Sequence, residues 1–81
     1  PVLMLFGGKD LQVPVSQNRP PMEDALNKAG NQEYLVKVFP DANHLFQEAG
    51  TGSPNEYPQL PKAFVPGFLE EILEWIRVKT Q

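Results

Sequence analysis

Phe6-Gly7-Gly8-Lys9-Asp10-Leu11-Gln12-Val13-Pro14 is the stretch on which the fold turns. The run before it, Val2-Leu3-Met4-Leu5-Phe6, is apolar without alternation. That pattern belongs to a strand covered on both faces, as in a parallel sheet. A buried helix can be apolar all round too, but a run this short before Gly7-Gly8 has the length of a strand. The two glycines let the backbone bend sharply at low steric cost. Asp10 then stands just past the strand's carboxyl end, where open parallel sheets gather ligands and chemistry.

Working outward, Val13-Pro14 closes the loop with an apolar anchor and a stiff, extended joint. Ser16 is the expected N-cap of a helix running from about Ser16 to Ala29. Pro21 lies beyond that helix's free amides and is expected to distort a turn. Met22, Ala25, Leu26 and Ala29 recur at helical spacing as the buried face, with Glu23, Asp24, Asn27 and Lys28 toward water. Gly30-Asn31 is the stop. Tyr34-Leu35-Val36-Lys37-Val38-Phe39 is rich in β-formers and reads as a second strand, Lys37 suiting one near a sheet edge. Strand, helix and strand in about forty residues make a βαβ unit with a right-handed crossover. A long connection, Pro40 to Lys62, follows. A last helix opens near Pro66-Gly67, with an apolar stripe of Phe68, Leu69, Ile72, Leu73 and Ile76.

Bulk properties bound the function. The chain has 81 residues, a net charge of −3 and no cysteine. A chain this short makes one small domain at most. Without a basic cluster a nucleic-acid partner has no electrostatic support. No apolar run approaches the roughly 20 residues that span a bilayer, so no membrane segment is expected. Within these residues disulfides and a thiol nucleophile are excluded. Pro1 stands directly against an apolar strand, which reads as a piece of a longer polypeptide. Any signal peptide of that parent would lie upstream, leaving the compartment open.

His44, the only histidine, follows the second strand, as Asp10 follows the first. Strands joined by one crossover helix are often neighbours, so the two loops are expected to emerge side by side. An imidazole acting as a general base needs its second nitrogen held, and a carboxylate does this. Each residue also has a plainer reading, Asp10 as a turn former and His44 as a loop packing residue. Phe46, Tyr57, Leu60 and Phe64 either line a pocket beside His44 or tuck the long loop onto the body, and tucking is the favoured reading. Asp41 with His44 offers too few ligands for a metal. Glu70, Glu71 and Glu74 read as a wet helix face. Asn18 touches the Asp10 loop or sits in the first helical turn.

The order strand, Gly7-Gly8-Lys9-Asp10-x-x-Val13-Pro14, helix, strand, Asn43-His44-Leu45-Phe46 and closing helix resembles the C-terminal end of an α/β-hydrolase. The likeness is greatest to the serine esterase branch near dienelactone hydrolases and prolyl-oligopeptidase-type domains, and it spans about Val2 to Lys79. It implies an α/β fold in which residues 1–81 form a βαβα part of one domain, with two parallel strands and helices on opposite faces. It implies that Asp10 is the triad acid and His44 the base, that the substrate is a small ester, and that no cofactor or metal is needed. No Gly-x-Ser-x-Gly occurs here. Ser16 reads as a cap and Ser53 as a turn residue, so the nucleophile and oxyanion donors are expected upstream and the segment alone is expected to be inactive. Two alternatives stand beside this. One is a non-catalytic module that self-associates through its exposed first strand. The other is a peptidase or thioesterase on the same scaffold.

Overall fold

The computed structural model describes residues 1–80. It is a small mixed α/β unit of strand β1 (Val2–Gly7), helix α1 (Val15–Lys28), strand β2 (Tyr34–Phe39), a 3-10 helix (Pro54–Gln59) and helix α2 (Phe68–Lys79). The two strands pair in parallel, with Val2 opposite Tyr34 and Gly7 opposite Phe39. Both chain directions therefore point the same way, and the loops carrying Asp10 and His44 leave from the same end of the sheet.

Alternation along the strands assigns the two helices to opposite faces. Tyr34 shares a face with Met4 and Phe6, both buried. Its hydroxyl lies 3.2 Å from Glu23 Oε2 on α1. Leu5 lies on the other face and packs against the cluster of Phe39, Ala42, Val65 and Phe68, together with Ile72 of α2. Phe46 completes this cluster, its ring stacked on Phe68 at 4.4 Å and edge-on to Phe39.

Helix details depart from the periodicity in instructive ways. Pro14 rather than Ser16 is the N-cap of α1, with no side-chain cap, and the Gln17 and Asn18 amides both donate to the Pro14 carbonyl. Asn18 sits in the first turn, its Nδ2 donating to that same carbonyl at 2.7 Å. The helix runs on through Pro20 and Pro21. The carbonyls those prolines leave without a donor belong to Ser16 and Gln17, both exposed, so the loss falls where solvent has access. Of the expected buried face only Leu26 is half-covered, while Glu23, expected to face water, is turned toward Tyr34 and Arg19.

α2 starts at Phe68 after a left-handed Gly67, two residues later than Pro66 at N1 would give. Its apolar stripe splits. Phe68 is buried and Ile72 half-buried, whereas Leu69, Leu73 and Ile76 are exposed. A sheet of two strands, spaced about 4.8 Å apart, is narrower than a helix with its side chains and covers only one flank. The radius of gyration, 14.0 Å, exceeds the roughly 12 Å of a compact domain of this length. No helix among the described residues is long and apolar enough to cross a membrane.

Candidate active site

Asp10 and His44 meet. Asp10 Oδ2 lies 3.1 Å from His44 Nδ1, although the residues are 34 positions apart. The Asp10 side chain is 8% exposed and that of His44 38%. The two sequence readings of Asp10 are both realised, one on each oxygen. Oδ1 accepts from the backbone amides of Gln12 and Val13, each at 2.9 Å, as a turn former does. That anchoring aims Oδ2 at the imidazole. The carboxylate accepts the Nδ1 hydrogen and so assigns the tautomer whose Nε2 carries a lone pair. Among the described residues Nε2 has no hydrogen-bond partner.

Close contact between loop backbones makes the meeting possible. The Gly8 amide donates to the Phe39 carbonyl and the Lys9 amide to the Ala42 carbonyl, each at 2.8 Å. A Cβ on Gly7 would stand 2.6 Å from the Ala42 oxygen and collide with the Asn43 oxygen too. The glycines were expected to supply a sharp bend, yet neither has a positive φ. Their use here is to let the second loop lie directly on the first.

Sequence reasoning gave Asn43 no part beyond the motif, and it turns out to brace the histidine loop. It is fully buried. Its Oδ1 accepts from the amides of Leu45 (2.9 Å) and Gln47 (3.0 Å), and its Nδ2 donates to Gln47 Oε1 at 3.3 Å. Phe46, with φ of 59°, completes the tight turn. An asparagine directly before His44 was the available signal, since short amides bond their own backbone in turns. Lys9 adds a strap, donating from Nζ to the Ala49 carbonyl at 2.8 Å and pairing with exposed Asp41 at 3.5 Å.

The imidazole opens on an apolar groove of about 400 Å³ along the free edge of β1, bordered by Val13, Met22 and Phe46. Across the histidine loop lies a wider cleft of about 700 Å³ walled by Leu45, Tyr57 and Phe64. The four residues weighed between loop tucking, the favoured reading, and a pocket lining therefore divide. Tyr57 and Phe64 line this cleft, Phe46 belongs to the core, and Leu60 is half-buried outside the lining. Among the described residues no group of three or more His, Cys, Asp or Glu side chains is placed to hold a metal ion.

Matched against protein-family models, curated proteins and solved structures, the chain has no match in any of the three. The reading of the site therefore rests on its own geometry.

A titrating group ties the 3-10 helix to the loop before it. Glu56 accepts from the Thr51 amide at 3.1 Å and the Gly52 amide at 2.8 Å. The Thr51 and Gly52 hydrogen bonds, in that order, outweigh desolvation and hold the Glu56 pKa below the ordinary glutamate value of 4.5. A folded value below the unfolded one means that this contribution is complete above 4.5 and lost as pH falls through the folded value. Urea midpoints measured from about pH 6 down to about pH 3 should fall more steeply for the wild type than for Glu56→Gln. Parallel slopes would remove Glu56 from the acid response. Glu23, lowered chiefly by its hydrogen bond from Arg19, is common to both proteins and cancels.

Proposed function

We propose that this chain supplies the acid and base of a Ser-His-Asp triad in a serine hydrolase of the α/β-hydrolase kind, acting on carboxyl esters of small or medium groups. The observation that carries the reading is the 3.1 Å contact between Asp10 Oδ2 and His44 Nδ1 at the shared carboxyl end of two parallel strands. The order of motifs around Asp10 and Asn43-His44-Leu45-Phe46 adds to it.

In this reading a serine hydroxyl from the parent attacks the ester carbonyl, and His44 Nε2 takes its proton. The tetrahedral intermediate collapses, the carbon–oxygen bond to the alcohol breaks, and His44 returns the proton to the departing oxygen. Water then adds to the acyl-serine with His44 again as base, releasing the acid and restoring the serine. Asp10 holds the imidazole in the right tautomer throughout. Ser53 is committed to capping, its Oγ accepting from the Asn55 amide, and Ser16 lies on the exposed first turn of α1. Neither is offered as the nucleophile.

A fluorophosphonate probe tests this directly. It should label the full-length parent at one serine and leave residues 1–81 unlabelled. A parent that resists the probe while cleaving esters would defeat the proposal.

A second reading is favoured by the free edge of β1 and by exposed Leu69, Leu73 and Ile76. It is a module that self-associates through that edge. Size exclusion showing only monomer at high micromolar concentration would remove it.

A further inference from the structure

The cleft beyond the histidine loop is built rather than incidental. It begins at Leu45, the residue after His44, and reaches Tyr57. The Tyr57 hydroxyl accepts from Gln12 Nε2 at 2.7 Å, and the Gln12 amide itself donates to Asp10. That wall is therefore tied to the acid. Phe64 is set by a backbone bridge to Gln47 and by its ring lying 4.7 Å from that of Phe68. Despite this anchoring, Leu45 is 43% and Phe64 51% exposed. Side chains that merely tucked the loop down would be covered. These two present apolar surface to an open cleft of about 700 Å³, within the range of small-molecule sites.

One charged residue lines it. Lys62 stands on the rim, exposed, and forms no ion pair among the described residues. The other lining groups carry no charge. An apolar hollow with a single unpaired ammonium at its edge complements a group that is apolar in body and anionic at its tip.

We infer that this cleft is a binding site for a small organic acid, an aryl or alkyl group ending in a carboxylate that pairs with Lys62. The inference does not depend on the hydrolase reading, because His44 borders the groove along β1 and not this cleft. The cleft's preference for such an anion is a property of the cleft alone.

Binding, not turnover, tests it. The protein is titrated by amide NMR with 3-phenylpropionate and, separately, with 3-phenylpropan-1-ol, which shares the ring and chain but not the charge. Shifts are expected at Leu45, Tyr57, Ala63 and Phe64. The acid should bind about two- to five-fold more tightly than the alcohol, the range open to an exposed ion pair. That preference should vanish in Lys62→Ala and reverse in Lys62→Glu, while Phe64→Ala weakens both ligands. Equal affinity for acid and alcohol in the wild type overturns the inference. So does a preference that survives Lys62→Ala, or shifts confined to the groove along β1. Because no chemistry is read, these outcomes are separate from the fluorophosphonate result. The acid site can fail while the hydrolase reading stands, and the reverse.

Discussion

In the proposed parent hydrolase, replacing His44 with alanine is expected to lower kcat by about 10⁴-fold or more while leaving the fold intact. The size follows from what is lost. A serine hydroxyl is a poor nucleophile unless a base takes its proton during attack, and the same group must later protonate the leaving oxygen. With the imidazole gone, both transfers fall to water. The fold survives because His44 is only partly buried and its one side-chain hydrogen bond runs to Asp10. The loop itself is held by Asn43, whose three side-chain bonds are untouched. Steady-state kinetics beside a thermal melt check the pair of expectations. A loss of only a few fold, with an unchanged melt, would return His44 to a packing role and end the triad reading.

Gly52→Ala should be among the most destabilising single-methyl changes in the chain, costing at least about 2 kcal/mol. Two penalties coincide there. Gly52 has φ of +85°, where a side chain is strained. A Cβ would also collide with the carbonyl oxygen of Lys9, which is backbone and cannot swing aside. Lys9 immediately precedes Asp10, so relief of the clash displaces the acid from the base. Gly30→Ala is the internal control. Gly30 also has positive φ, +75°, but nothing lies within 4 Å of its Cβ position, leaving only the conformational cost of about 1 kcal/mol. Urea denaturation compares the two, and the His44 imidazole resonances report whether the Asp10 contact survives. If Gly52→Ala costs no more than Gly30→Ala, the loops are not clamped as described.

The legibility of this chain varies with the range of the interactions involved. β1 and β2 were readable because an unbroken apolar run and a run rich in β-formers are local patterns. Their parallel pairing followed from the helix between them. The helical faces were read less well. Periodicity identified which residues of α2 are apolar, but a two-stranded sheet covers only the Phe68–Ile72 side and leaves Leu69, Leu73 and Ile76 exposed. On α1 the pattern pointed to Met22, Ala25 and Ala29, yet Glu23 is drawn inward by Arg19 and Tyr34. That pull depends on a tyrosine 11 residues away, which no helical period encodes.

The amino-acid sequence alone determined the succession of strand and helix, and it placed one carboxylate and one imidazole each just beyond a strand. Those features arise from side-chain periodicity and turn chemistry, which act over a few residues. Only the tertiary structure decided which Asp10 oxygen serves the turn and which the histidine, that Gly7 and Gly52 serve as points of backbone contact, and that a cleft lined by Lys62 opens across the histidine loop. Each of these depends on groups tens of positions apart being pressed together. Such contacts come from how the loops stack at one end of a parallel sheet, and local sequence carries no record of that stacking.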